Sequence, residues 1–153
     1  MASATFKIST GLRNHLLAGG SFKNGMDGMV IKVYDDSGAI PVSPDDAVGS
    51  AVLLCVLTKN GAGTGLSFDG TPVAGVLSKD SAEEWFGEIL ASGRGAFFRG
   101  VAITDTGAAS ATAKRIQGTV GLVNADFLVR DINFVLGEEQ RADSCNIGMP
   151  ENA

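Results

Sequence analysis

The sequence predicts an all-β fold, an antiparallel, jelly-roll-like β-sandwich with a short N-terminal helix or arm. Three observations carry that prediction. Glycine makes up 21 of the 153 residues, about twice its usual share of roughly 7%, and it recurs at the ends of short apolar segments instead of in one linker. From Met29 onward apolar and polar residues alternate over short runs, the period of a half-buried strand. Helices between those runs, which a parallel α/β sheet requires, are missing. No Pro/Ser-rich linker or fixed-period repeat divides the chain, so one domain is expected, with residues 1–28 as the arm or short helix and 29–153 as the sandwich.

Taken in order, "STGLRNHLLAGG" offers Ser9 or Thr10 as a helix N-cap, Leu12 and Leu16 on one face, and Gly19-Gly20 as a stop. A second short turn follows in "SFKNGMDG". "MVIKVYDD" places Ile31 and Val33 on one strand face, and the continuously apolar "VLLCVL" suits a strand covered on both sides. "SAEEWFGEIL" carries a cap-like Ser81 with Glu84 three residues on, yet period two from Glu84 sets Trp85, Gly87 and Ile89 against Glu84, Phe86, Glu88 and Leu90. A strand is therefore expected there. "GAFFRGVAIT" puts Phe97, Arg99, Val101 and Ile103 on one face, and Ala96, Phe98, Gly100 and Ala102 on the other. "RIQGTVGLV" directs Ile116, Val120 and Leu122 inward and Arg115, Gln117 and Thr119 outward. "INFVL" groups Ile132, Phe134 and Leu136, and "SCNIGMP" groups Cys145, Ile147 and Met149. Seven or eight strands result.

Composition narrows the function classes. A formal charge of −5 without a Lys/Arg cluster argues against nucleic acid, and the doublet Lys114-Arg115 is too small a footprint. "MASATFKIST" lacks the pattern of a secretory signal and no run approaches a membrane span, so synthesis in the cytoplasm and no membrane partner are expected. Cys55 and Cys145 read as two buried, reduced thiols; the sequence leaves a bridge between them open.

Each candidate for chemistry fails a specific requirement. Gly61-Ala62-Gly63-Thr64-Gly65 has Leu66 where a dinucleotide fingerprint needs its third glycine. Gly70, Pro72 and Gly75 stand where the phosphate-binding helix would run, and Lys59 precedes the glycines instead of following them. A strand connection is expected, and any further role of this loop is expected to be contact with a neighbouring subunit. His15, the single histidine, has no nucleophile signature to serve. The pairs Asp35-Asp36 and Asp45-Asp46 could bring oxygens around calcium, but they lack the alternating spacing of a calcium loop; Glu83-Glu84 and Glu138-Glu139 reveal no hydrolytic cleft. No catalytic, cofactor-binding or metal residue is nominated, no cofactor is expected, and a non-enzymatic protein follows. Trp85 and Phe97-Phe98 are core candidates or a platform for carbohydrate or a partner. Because Phe97 and Phe98 point to opposite faces, one of them needs a cover from the N-terminal segment or another subunit. The small-residue stretch from Gly107 to Ala113 is expected to be either a mobile loop or an arm ordered by a neighbouring chain.

Across nearly the whole chain, the ordered set "STGLRNHLLAGGSF", "MVIKVYDD", "DDAVGSAVLLCVLTKNGAGTGLSF", "GVLSKDSAEEWFGEILASGRGAFFRG", "DTGAASATAKRIQGTVG" and "IGMP" resembles a family of small virion structural proteins of tailed bacteriophages and prophages. The acidic "YDDSG" and the charged "GEEQRADS" depart from the more neutral segments expected of that family. The resemblance implies a β-rich auxiliary protein with no catalytic residues to transfer. The first expectation is a capsid decoration or cement protein on the virion surface, bound to the major capsid protein, with the N-terminal segment and the 104–114 loop reaching across subunits. A homo-oligomer, a trimer first, is expected at local three-fold points. A tail or head–tail adaptor component, or a carbohydrate-binding module on the virion, are the alternatives.

Overall fold

The computed structural model describes residues 6–148. Its elements are β1 (Lys7–Ile8), α1 (Thr10–Leu17), α2 (Phe22–Met26), β2 (Met29–Asp35), β3 (Leu53–Lys59), β4 (Val76–Ser78), β5 (Trp85–Glu88), β6 (Gly93–Ala102), β7 (Ile116–Gly121), β8 (Phe127–Leu128), β9 (Asn133–Phe134), β10 (Glu139–Ala142) and β11 (Asn146–Gly148). The main sheet runs β1-β7-β6-β2-β3-β5-β10, with β8 added to β7 and β9 to β6; β4 and β11 form a separate pair. Every pairing is antiparallel except β7 with β8. The fold is all-β and sandwich-like with short helices, as the alternation predicted.

The N-terminal helix forms for the reasons its sequence gives. Ser9, extended at φ −70° and ψ 163°, caps α1 by accepting from the Leu12 amide at 3.2 Å. Leu12 is fully buried and Leu16 packs against the core, while Gly19 takes the positive φ that ends the helix. The expected second turn is α2, capped by Ser21 and anchored by buried Met26.

The sheet has two faces, each with its own cover. The larger core gathers Ile31, Val33, Cys55, Leu57, Trp85, Ile89, Phe98, Ile116 and Val120, with Leu12 and Met26 from the helices. Behind the sheet, Phe97 stacks on Tyr34 with centroids 5.0 Å apart, under Val48. Phe97 thus finds its cover within its own chain, in the loop between β2 and β3, and the expected need for another subunit disappears. The alternation in β5 holds as predicted, with Trp85, Gly87 and Ile89 buried.

Five residues lie otherwise than their alternation suggests. Leu122, expected inward, is exposed because β7 stops at Gly121. Leu136 and Ile103 are exposed for the same reason, lying beyond the ends of β9 and β6. Arg115 and Gln117, on the expected outward face, are each only 2% exposed. Cys145 and Ile147 share a partly buried side against the core, while Met149 lies outside the described residues.

Candidate functional site

The pleat explains how the back face acquires buried charge. Register places Lys32 opposite Arg99 and Arg99 opposite Gln117, with Lys7 beyond Gln117, so three cations and one amide form a row across four strands. Like charges in adjacent strands repel unless something intervenes. What intervenes is loop backbone: the β2–β3 loop takes Lys7, Gln117 and Arg99, and the loop between β6 and β7 takes Lys32, whose Nζ donates to the Asp105 carbonyl at 2.8 Å. Lys7 Nζ donates to the Val42 carbonyl at 2.7 Å, Gln117 Nε2 to Pro41 at 2.8 Å, and Arg99 Nη2 to Asp46 at 2.8 Å and Ser43 at 3.3 Å. The row therefore supplies donors to the carbonyls of both loops, while those carbonyls hold the cations apart. Arg99 Nε also donates to Gln117 Oε1 at 2.9 Å, whereas its Nη1 is buried without a partner among the described residues. Burial, and then the nearby Arg115 charge, push the Arg99 pKa below its ordinary value.

Arg115 fastens a second loop to the first. Its Nε and Nη2 donate to the two Asp105 oxygens at 2.7 and 2.9 Å, Nη1 to the Pro44 carbonyl at 3.0 Å, and Nη2 to Ala108 at 2.6 Å. Both side chains are nearly sealed, at 3% and 6% exposure. Helix α1 closes the assembly from the other side. Ser9 Oγ accepts from the Arg115 amide and donates to the Ala113 carbonyl, each at 2.8 Å, and Thr10 N donates to Asp45 Oδ1 at 2.8 Å. Gly11 lies so close to Thr112 that a Cβ would run into its carbonyl. The stretch from Gly107 to Ala113 is thus pinned by its own chain, correcting the expectation of a mobile loop or a partner-ordered arm. Small side chains there permit this close approach to the helix.

The carboxylates used in this way have a pH signature. Burial pushes the Asp105 carboxyl up, but hydrogen bonds from Arg115 and Gly107 and the Arg115 charge outweigh it and leave the pKa below its ordinary value. For Asp35, burial again raises, and bonds from Ser37 and Val52 prevail to lower it. For Asp45, the bond from Thr10 leads and the net shift is downward. A depressed carboxylate contributes stability that is complete above its unfolded value and lost as pH falls through the folded one. Thermal melts are therefore expected to change little from pH 7 to about 5 and to drop steeply below about 4. A melting temperature that rises on acidification through that range contradicts these assignments.

The remaining sequence candidates fall as follows. The glycine-rich segment turns the chain out of β3, with positive φ at Gly61 and Gly63, and Gly65 lies against the Gly28 carbonyl of its own chain. His15 is half-buried over Gly20 and Gly25, its Nε2 3.1 Å from the Ser21 carbonyl. Asp35 and Asp45 serve as local acceptors, and among the described residues no three His, Cys, Asp or Glu side chains are placed to hold a metal ion. Trp85, 1% exposed, donates from Nε1 to buried Glu83 at 3.0 Å and offers no platform to a sugar. Both thiols are free; burial pushes the Cys55 pKa up to about 12 and the Cys145 pKa up to about 11. Neither is expected to react with a thiol reagent at pH 8 until denaturant is added, and rapid labelling of Cys55 in the native protein contradicts its placement.

Two features of the structure are not legible from strand alternation. The first is the buried arginine pair; its signal was Arg99 between Phe97 and Val101 on one face, a cation at a core period. The second is a cavity of about 810 Å³ between the sheet and residues 126–148, floored by side chains such as Ile31, Phe98 and Phe134. It depends on the path of a long irregular segment that alternation does not encode. Compared with family models, with curated proteins and with solved structures, the chain matches none. What the geometry defines is a class: an all-β, sandwich-like protein whose loops are locked by buried arginines.

Proposed function

We propose that the chain is a non-enzymatic virion structural protein, a capsid decoration or cement protein that binds the major capsid protein outside the head. The observation that carries this reading is the ordered set of segments resembling the phage family; among the described residues they fall in turn on α1, β2, β3 with its loop, β4 to β6, the 103–115 loop with β7, and the Ile147-Gly148 end of β11. Three further points support it. A body whose long loops are fastened internally presents a preformed surface, so binding costs little ordering entropy. That surface carries widely exposed apolar side chains, among them Leu17 at 86% and Val123 at 73%, which contact with a shell would cover. Net acidity suits an outer position away from packaged DNA.

On this reading the protein strengthens the shell by mass action, through burial of apolar surface and without chemistry. The contacts come from the body itself, since α1 and the 104–114 loop are bonded to one another and to the loop between β2 and β3. A trimer at local three-fold points is the leading assembly. The test is to add purified protein to particles that lack it and to image them. Density over the capsid lattice is expected; density confined to the tail or portal vertex overturns the reading in favour of an adaptor.

A further inference from the structure

We propose that β10 and the cavity beneath it receive an extended peptide arm from a partner protein, with alternate apolar side chains and a basic residue. This goes beyond the decoration reading and does not depend on it. The main sheet has two edges, and they are treated differently. At one edge β7 is already paired outward, by β1 along its first half and β8 along its second. At the other, β10 pairs only with β5, and its outer side has no strand partner among the described residues. Such an edge is a template for one more strand.

All four β10 residues line the 810 Å³ cavity, whose floor includes Ile31, Ile89, Phe98, Ile116 and Phe134. Its volume lies within the roughly 300–1,000 Å³ of sites that enclose a ligand. A strand added beside β10 sends every second side chain toward that floor, the division of labour in strand addition: main-chain bonds give affinity and the pocket selects side chains. The charge of the occupant follows from the rim. Among the lining residues five carboxylates face two guanidiniums, Arg130 and Arg141, a formal −3. Arg141 is already paired with Glu84 and Glu139 and stacked on Phe86. Glu138 and Asp143 are exposed and have no side-chain partner among the described residues. A cationic residue on the arm meets them, whereas an anionic one is repelled. The short, charged β10 also discourages indiscriminate pairing, which leaves selection to the cavity and rim.

The probe is a heptapeptide mixture K-X-T-X-T-X-K, with X drawn from Val, Leu, Ile and Phe, titrated into the isotopically labelled full chain and followed by amide chemical shifts. The expected result is saturable shifts at Glu139–Ala142 and along the cavity floor. Binding of E-X-T-X-T-X-E is expected to be at least about tenfold weaker. The surface variant Glu138→Lys/Asp143→Lys is expected to lose the cationic mixture by a similar factor, and Ile147→Trp, which fills the mouth, to lose both. No shift at 139–142 with millimolar peptide overturns the proposal, as does equal binding of the two mixtures or binding unmoved by the rim reversal. The two rim residues are exposed, so that variant keeps the test valid if Ile147→Trp fails to fold.

Discussion

Replacing Arg115 by alanine is expected to destabilise the protein by about 3–5 kcal/mol, the range for removing one partner of a buried ion pair. The cause is the set of groups left behind. Asp105 keeps its charge at 6% exposure without its guanidinium, and the Pro44 and Ala108 carbonyls lose their donors. Denaturant midpoints measured by circular dichroism give the number. The double variant Arg115→Met/Asp105→Leu separates pair from clasp: it removes the unpaired charge, but the two carbonyls still lack donors. It is expected to recover only part of the loss. Exchange of the 107–113 amides should accelerate in both variants. Full recovery in the double variant means that the carbonyl contacts contribute nothing.

Trp85→Ala is expected to cost a similar amount, about 3–5 kcal/mol, through the cavity it opens. The indole packs edge-on against Phe68 with centroids 5.7 Å apart, and Phe68 in turn meets Phe22 of α2 at 5.8 Å. Its Nε1–H satisfies Glu83, which is 4% exposed, also accepts from the Ser67 amide at 2.9 Å and lies 3.5 Å from Lys59. Trp85→Phe retains much of the packing and removes only that donor, so it should cost markedly less. Native tryptophan emission should be blue-shifted and shielded from iodide. Glycan binding that is lost in Trp85→Phe while stability is kept contradicts a buried Trp85 and revives the carbohydrate reading.

The strands were legible wherever alternation and burial coincide. Trp85, Gly87 and Ile89 face the core as period two requires, and Ser9, Leu12 and Gly19 mark a helix whose cap and stop are local. Facing failed where a strand ended sooner than its apolar pattern, at Leu122 and Leu136. It failed more deeply on the back face. Arg115 and Gln117 look solvent-directed because alternation reports which side of a sheet a residue occupies and is silent on what covers that side. Their cover is a loop rich in Pro, Ser and Asp between β2 and β3, brought there by hydrogen bonds 71 and 76 residues apart in sequence. The same blindness made the Gly107–Ala113 stretch look loose. A glycine that admits the Thr112 carbonyl and a serine that serves both as helix cap and as loop anchor leave no periodic trace.

Copy number most directly separates the proposed coat, held to a shell by contact alone, from a ring component. Purified particles carrying the protein should be quantified against their major capsid protein by isotope-diluted mass spectrometry. Decoration predicts hundreds of copies per particle, scaling with the capsid lattice. A ring-sized complement of about six or twelve copies contradicts it.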